Sequence, residues 1–151
     1  MVIRKIRKSD YASVDALLMQ LHGLDVSRRP DRFSPADHYM SASAFENLVK
    51  NENILTFLAQ QGKNVVGCCF ASVFEGNGKT EKSVYIDLLV VDEPYQRRGI
   101  GRTLFREVQA KAKKLGANRV ELIVWSHNPG AECAYRAYGM RPQRTIYEID
   151  V

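Results

Sequence analysis

The most constraining feature of this 151-residue chain is a short basic loop, Gln96-Arg97-Arg98-Gly99-Ile100-Gly101. It follows the apolar run 88–91 and leads into an amphipathic stretch, which predicts a buried strand, a tight loop and the first turn of a helix. Backbone N–H groups in a first turn lack intrahelical partners and carry the positive end of the helix dipole. Glycines let an anion approach that backbone, and Arg97, Arg98 and Arg102 add positive charge. The sequence therefore predicts a site for a phosphorylated cofactor at this turn.

Two familiar phosphate loops do not match this region. A P-loop requires Gly, four residues and then Gly-Lys-Ser/Thr, and the chain contains no such string. A dinucleotide-binding loop requires Gly-x-Gly-x-x-Gly after a first strand, whereas the single Gly-x-Gly here lies two-thirds of the way along the chain. The alternative is that Gly99 and Gly101 only make a tight turn into a helix. The neighbouring arginines favour the anion site.

Composition predicts one domain over residues 1–151 in a reducing cytoplasm. No apolar run approaches the roughly 18 residues of a membrane span, and the charged, alternating start at residues 1–5 is unlike a signal peptide. Three cysteines, Cys68, Cys69 and Cys133, match neither a disulfide framework nor a metal-ligand spacing, so no metal is expected. A net charge of +5 suits an anionic ligand. Because the basic residues are scattered, nucleic acid is disfavoured as a partner.

Periodicity predicts a mixed α/β chain. Strands are expected at residues 2–7, 54–60, 65–74, 83–91, 119–125 and 145–151. Helices are expected after an N-cap at Asp10, at residues 42–50 and 100–115, and from Pro129 to a stop at Gly139. Residues 22–40 show no clear period and are expected to form a loop or a broken helix. Because a helix separates strands 83–91 and 119–125, these two strands should be parallel.

With this element order, the chain resembles the GNAT-type N-acetyltransferases, which use acetyl-CoA. Two motifs carry the resemblance. The first, residues 89–104, is similar to the family's pyrophosphate-binding strand, loop and helix. The second is Asn128-Pro129-Gly130-Ala131 followed by Tyr135 and Gly139-Met140, with Met140 and Tyr138 in place of the family's usual Phe and Leu. The resemblance implies a single-domain mixed sheet, mostly antiparallel and twisted, with one splayed parallel strand pair and flanking helices.

The resemblance also implies where acetyl-CoA binds as cosubstrate. The pantetheine arm would pair with the strand end, one backbone N–H there would polarise the thioester carbonyl, and the loop would hold the pyrophosphate. Asn128 would contact the arm or a water, although a plain N-cap role is compatible with this. The implied cofactor residues are Leu89, Val90, Val91, Gln96, Arg97, Arg98, Gly99, Ile100, Gly101, Arg102, Thr103, Asn128 and Tyr135.

The catalytic candidates are Tyr135, Asp87 and Tyr85. Tyr135 matches the family tyrosine that protonates the departing CoA thiolate, and the alternative is a packing role in an apolar helix stripe. Strand alternation places Tyr85 and Asp87 on one face with Leu89 and Val91, opposite an apolar face of Ile86, Leu88 and Val90. Related enzymes place a base at one of these two positions. Asp87 is the candidate here, and its alternative is a satisfied structural carboxylate.

The acceptor is expected to be a small-molecule or peptide amine bound by residues 21–46, with His22, Phe33, Tyr39 and Asp87 as candidate contacts. The alternative for this segment is a solvated linker. A second functional class remains open, a catalytically silent CoA-binding regulatory or interaction domain of the same fold. No membrane partner is expected, and a homodimer is left open.

Overall fold

The computed structural model describes all 151 residues and contains five strands in one sheet. The strands are β1 (Val2–Arg4), β2 (Ile54–Gln61), β3 (Asn64–Phe74), β4 (Ser83–Val91) and β5 (Arg119–Glu121). The helices are α1 (Tyr11–Arg28), α2 (Ala42–Lys50), α3 (Ile100–Lys114) and α4 (Pro129–Ala137). The sheet order is β1-β2-β3-β4-β5, antiparallel except for the parallel pair β4–β5. The predicted fold class is confirmed, including the parallel pair.

Helices cover both faces of the sheet. One core contains Cys69, Val84 and Ile86 of the sheet together with Leu104 and Val108 of α3. The other core contains Cys68, Phe70 and Val90 of the sheet, packed against α1 and against Phe45 of α2. Adjacent residues of β3 therefore enter opposite cores, as the period of two requires. Burial on both faces explains why β3 and β4 read as nearly continuous apolar runs. None of the helices is both long and apolar enough to cross a membrane.

A β-bulge in β4 corrects the predicted face assignment. The ladder pairs Phe70 with Leu88 but Ala71 with Ile86, so Asp87 is an extra residue without a direct partner. Such an insertion exchanges the faces of all residues beyond it. Ile86 accordingly packs on the α3 side, whereas Leu88 and Val90 pack on the α1 side. The expectation that Ile86, Leu88 and Val90 share one face was wrong.

The β4–β5 ladder is short. Its register pairs Ser83, Val84 and Tyr85 with residues 119, 120 and 121, and the strands share no pairing beyond Tyr85. The predicted strand at 119–125 therefore ends at Glu121. Residues 141–151 form no helix or strand, so the predicted closing strand at 145–151 was also wrong. Both segments have strand-like sequences but lie beside no hydrogen-bonded neighbour within the chain.

The N-terminal half differs from prediction at two places. Helix α1 continues to Arg28, so the irregular segment is confined to residues 29–41. Asp10 precedes α1 but makes no side-chain capping bond. Its carboxylate instead accepts two hydrogen bonds of 2.8 Å from the Arg4 guanidinium and one of 2.7 Å from the Arg7 N–H. The Arg4 contact holds the pKa of Asp10 below its usual range and joins β1 to the start of α1.

Candidate active site

The loop between β4 and α3 presents a row of unused backbone donors. Arg97 has a positive φ of 59° and Gly99 a φ of 80°, which turns the chain sharply into α3. The first bond of the helix runs from the Thr103 N–H to the Gly99 carbonyl at 3.0 Å. None of the N–H groups of residues 97–102 donates to an acceptor within the chain. These free donors surround a helix N-terminus and can hold an anion, whereas the Thr103 N–H is already used inside the helix.

The free N–H groups of residues 97–102 form an anion site that we call the cradle. Gly101 keeps this cradle open. A Cβ added to it would lie 3.3 Å from the Tyr138 hydroxyl, 3.5 Å from Val91 Cγ2 and 3.7 Å from Leu89 Cδ2. The predicted strand-end residues Leu89 and Val91 therefore form one wall of the cradle, and Tyr138, which directly follows α4, also reaches it. Burial raises the pKa of Tyr138, and the nearby Arg102 partly offsets this rise.

The loop arginines are free to meet a ligand. Arg97, Arg98 and Arg102 form no salt bridge, although the chain contains ten such pairs elsewhere. Arg98 lies over the Tyr95 ring, with its Cζ 5.4 Å from the ring centroid. Since surface charges attract anions over several ångströms, these guanidinium groups add to the field of the helix N-terminus.

The strand end beside the loop has one unpaired edge. Because β5 stops pairing at Tyr85, the edge of β4 that faces β5 has no strand neighbour from Asp87 to Val91. Val90 is buried against α1, which fixes the strand. The Gln96 side-chain amide donates to the Val91 carbonyl at 3.1 Å and joins the loop to this strand end. An extended ligand arm can therefore add alongside β4 and meet the loop at one end.

A gap opens between β4 and β5 after Tyr85, and Tyr135 lines the cavity there together with Tyr85 and residues 120–126. Its helix begins at Asn128, whose Oδ1 accepts a 3.2 Å hydrogen bond from the Ala131 N–H, so the N-cap role of Asn128 is observed. The Tyr135 ring packs against Phe105 and Tyr138, with centroids 6.5 and 5.9 Å apart. Burial raises the pKa of Tyr135 far above its usual range, so the hydroxyl stays protonated at neutral pH.

Asp87 and Tyr85 lie together at the bulge of β4. The exposed Asp87 carboxylate accepts a 2.7 Å hydrogen bond from the Ser72 hydroxyl of β3. Tyr85 pairs with Ser72 on one side and Glu121 on the other. Burial raises the pKa of Tyr85, and the Asp87 charge raises it further. The bulge thus leaves the Asp87 carboxylate out of the ladder and exposed to solvent.

The predicted acceptor residues are close together. The His22 ring meets Phe33 and Tyr39 edge-on, with centroids 6.4 and 6.2 Å apart, and its Nε2 donates to the Ser34 carbonyl at 2.8 Å. Asp15 fixes the segment by accepting the Tyr39 N–H at 2.9 Å. Burial raises the pKa of Tyr39, and the charges of Asp25 and Asp87 raise it further. Tyr39 therefore lies within the field of two carboxylates.

Three further residues, Trp125, His127 and Asp25, lie beside these rings, and the sequence did not assign them to the acceptor site. Trp125 meets Phe33 edge-on at 5.7 Å and stacks on His127 at 5.7 Å. His127 Nε2 lies 2.9 Å from Asp25 Oδ1, and both side chains are nearly buried, which ties α1 to the segment before α4. No spacing in the sequence links positions 25 and 127. The aromatic Trp125 at the end of a predicted strand was the one available signal.

Comparison with known protein families agrees with the loop, strand edge and helix described above. The model of the Acetyltransferase (GNAT) family matches residues 19–140. The chain belongs to the GNAT family of acetyltransferases. The predicted recognition and the predicted enzyme class, an acetyl-CoA-dependent N-acetyltransferase, are both confirmed.

Individual relatives agree with this GNAT assignment. A mutant of the BH1408 protein from Bacillus halodurans is 27% identical, with a TM-score of 0.94 over 100% of this chain and 99% of that one. An aminoglycoside N-acetyltransferase solved in complex with CoA is 16% identical, with a TM-score of 0.75 over 99% of both chains, and this likeness shows the fold. The L-ornithine N5-acetyltransferase NATA1 of Arabidopsis thaliana is 39% identical over 59 residues, which are 39% of this chain. The match spans only 26% of that plant protein.

Replacing Gly101 by Glu should abolish CoA binding, because the new side chain would fill the cradle and carry a negative charge. The measurement is the rise in melting temperature on adding CoA. A ligand at about 100 times its Kd adds roughly 2.7 kcal/mol of stability. Gly23→Glu is the matched control, since Gly23 is also helical and a Cβ there would meet nothing within 4 Å. An undiminished CoA effect in Gly101→Glu would remove the loop from cofactor binding.

Proposed function

We propose that this protein moves the acetyl group of acetyl-CoA to a primary amine by direct attack within a ternary complex. The observation that carries the proposal is the convergence of three features on one gap in the sheet. These are the free donors of residues 97–102, the unpaired edge of β4 beside them and the protonated hydroxyl of Tyr135. Steady-state release of CoA with a panel of amines tests it.

A catalytically silent CoA-binding domain is the competing function. It would need the cradle and the β4 edge but would have no use for the acid at Tyr135 or for a carboxylate at the bulge. CoA-dependent stabilisation without turnover on any amine of the panel would favour the silent domain. Turnover with even one amine would exclude it.

The residues present fit acetyl-CoA, whose charge near neutral pH is about −4 because of its pyrophosphate and 3′-phosphate groups. The N–H groups of residues 97–102 would hold the pyrophosphate, and Arg97, Arg98 and Arg102 would attract the charge. The β4 edge at Leu89, Val90 and Val91 would hold the pantetheine arm. The bound cosubstrate supplies an acetyl thioester as the activated group. A backbone N–H of this edge would polarise its carbonyl as an oxyanion donor.

Tyr135 would serve as the proton donor to the departing thiolate. Burial keeps its hydroxyl protonated, and the contacts with Phe105 and Tyr138 hold the ring in the gap. The hydroxyl has no hydrogen-bond partner within the chain and is not among the fully buried unpaired atoms. It is therefore available to a bound group. Packing and acid catalysis are compatible roles for this tyrosine, since the ring performs one and the hydroxyl the other.

Asp87 would accept the proton that the amine must lose before it attacks. Its carboxylate is exposed at the bulge and oriented by Ser72. Because this carboxylate is exposed to solvent, a water molecule would relay the proton from the amine to it. Tyr85 lies beside Asp87 and would orient that water.

The acceptor would be a small cationic compound. Asp25 and Asp87 both raise the pKa of Tyr39, so negative charge lies beside the Tyr39 end of the aromatic wall formed by His22, Phe33, Tyr39 and Trp125. At the other end, the Arg29 and Arg32 guanidinium groups lie over the Trp125 ring, 5.8 and 5.0 Å from its centroid. The Tyr39 end, with its ring and nearby carboxylates, suits an ammonium group of the acceptor. The names of two similar proteins, an L-ornithine N5-acetyltransferase and an aminoglycoside N-acetyltransferase, describe acetyl transfer to amines of small compounds. Diamines and amino sugars should therefore lead the panel.

Tyr135→Phe should retain CoA affinity and lose turnover. The ring and its packing survive, and only the hydroxyl is removed. General acid catalysis is typically worth about 10²–10⁴-fold, so kcat should fall within that range. Two quantities are measured: kcat with the best amine of the panel, and the affinity of the protein for CoA. An unchanged kcat would assign Tyr135 to packing alone.

Asp87→Asn should lower turnover most at low pH, where the largest fraction of the amine is protonated. The substitution is nearly isosteric, so the fold should be retained. Ser72→Ala is the matched control, because it removes only the hydrogen bond that orients this carboxylate and should have a smaller effect. A pH–rate profile identical to that of the wild type would remove Asp87 from the mechanism.

Replacing Phe33 and Tyr39 by Ala should raise the acceptor KM and leave the KM for acetyl-CoA nearly unchanged. Contact of an ammonium group with a partly exposed ring is worth about 0.5–1 kcal/mol, so losing both rings should raise the acceptor KM by about five- to thirtyfold. Phe74→Ala is a suitable control, since Phe74 is exposed at the far end of β3. If only the KM for acetyl-CoA changed, residues other than Phe33 and Tyr39 would have to determine acceptor specificity.

A further inference from the structure

The cavity that Tyr85 and Tyr135 line also contains basic side chains. Its volume is about 800 Å³, and its lining includes five arginines but only three glutamates. Two of these arginines, Arg141 and Arg144, form no salt bridge. An excess of positive charge in a cleft attracts anionic groups. The cavity therefore suits a ligand that carries a negative group as well as an amine.

Arg32 is the cavity arginine whose guanidinium lies against the aromatic wall with its N–H groups still available. Its Cζ is 5.0 Å from the centroid of the Trp125 ring. Its one carboxylate contact, with Glu148 at 3.8 Å, is too long for a hydrogen bond. Arg29 also lies over Trp125, but its N–H groups donate to Asp31 and Glu148 at 2.8–3.2 Å. Arg32 therefore offers the free donors at this end of the wall.

The position of Arg32 suits recognition of a carboxylate. A guanidinium stacked on an aromatic ring keeps its N–H groups directed outward in its own plane, where two of them can donate to one carboxylate. More than half of the Arg32 side chain, 54%, is exposed, so a ligand in the cavity can reach it. Glu148 is held by Arg29 at 2.8 Å and leaves the Arg32 donors unoccupied.

We propose that Arg32 binds a carboxylate of the acceptor, and that the acceptor is a diamino acid acetylated on its side-chain amine. This role of Arg32 rests on the function proposed above and narrows its substrate class. A diamino acid carries two ammonium groups and one carboxylate, so it is still a net cation. Its carboxylate would lie at the Trp125 end of the wall, and its side-chain amine at the Tyr39 end near Asp87.

The charges at the two ends of the wall are separated. Neither Asp25 nor Asp87 forms a salt bridge with Arg32. Neighbouring rings of the wall between them have centroids 5.7–6.4 Å apart. In an amino acid a single carbon joins the α-nitrogen to the carboxyl group, so an α-amine bound through Arg32 would stay near Trp125. A side-chain amine several bonds further along can reach Asp87.

The carboxylate takes no part in the bonds that change. The neutral side-chain nitrogen forms a bond to the acetyl carbonyl carbon, the C–S bond breaks, and the nitrogen gives up one proton. Water would carry that proton to Asp87, and the sulfur would take a proton from Tyr135. Arg32 is thus a specificity-determining residue, which should change the amine that is selected and leave the chemistry unchanged.

Matched substrates isolate the contribution of the carboxylate. L-lysine and L-ornithine are compared with their carboxamides, which retain both amines and lose only the negative charge, and with the diamines that lack the carboxyl group. The measurement is kcat/KM for CoA release. The wild type should prefer each diamino acid over its carboxamide by about 10- to 100-fold, the range of a hydrogen bond between charged groups. NMR of the product should find the acetyl group on the side-chain nitrogen.

Variants then test Arg32 itself. Arg32→Gln should lower kcat/KM for the diamino acids by the same factor and leave that for the carboxamides nearly unchanged. Arg32→Lys should retain part of the preference, because lysine keeps the charge but lacks the planar fork. Arg28→Gln is the matched control and should retain all of it, since Arg28 is exposed and does not line the cavity. A wild-type rise in melting temperature on adding CoA shows that each variant is folded.

Equal use of lysine and its carboxamide by the wild type would overturn the role of Arg32 and leave the proposed acetyl transfer intact. Acetylation of the α-nitrogen would also overturn it, as would a carboxylate preference that survives Arg32→Gln. An equal loss for both substrates in that variant would mark a structural role instead, and a raised KM for acetyl-CoA alone would assign Arg32 to the cofactor. No turnover with any amine would overturn the proposed function itself, together with this role.

Discussion

The separation of β4 and β5 after Tyr85 is the constraint on which the rest of the structure depends. The two parallel strands share only the pairs formed by residues 83–85 and 119–121. Up to that point the ladder fixes the positions of β4 and β5, from which the chain continues into α3 and α4. Beyond it, one edge of β4 is unpaired, the loop donors of residues 97–102 are near its end, and Tyr135 enters the gap from α4. A ladder that continued to Val91 would close the gap and leave no place for an extended ligand.

Two side-chain clusters keep the gap open on either side. On the α3 side, Leu89, Val91 and Tyr138 pack around Gly101, and Phe105 packs against Tyr138 and against Tyr135 of α4. On the α1 side, the Asp25–His127 pair and the stack of Trp125 on His127 hold the segment after β5 away from β4. A buried pair of this kind is costly to break, because the partner that remains loses its hydrogen bond in a poorly solvated place. We therefore regard Asp25 and His127 as residues that fix the width of the gap.

The predictions from sequence succeeded where the signal was local. The loop at Gln96–Gly101 lies within one strand, turn and helix, so its residues alone define the turn and the start of α3 with its free N–H groups. They failed where distant parts of the chain decide the outcome. The faces of β4 depend on a bulge set by the partner strand, which no alternation pattern within residues 83–91 reveals. The Asp25–His127 contact joins residues 102 positions apart. Residues 145–151 carry a strand pattern, but a strand forms only beside a partner.

The most direct test of the central claim is an NMR titration of the isotopically labelled protein with CoA, following each backbone amide. The account predicts that the largest shift changes occur at residues 97–102 and along the β4 edge at residues 87–91. Amides of α2 and of the β2–β3 turn should remain nearly unchanged, since these elements lie away from the gap. Changes concentrated elsewhere, with the amides of residues 97–102 unmoved, would contradict the assignment of this loop and strand edge as the cofactor site.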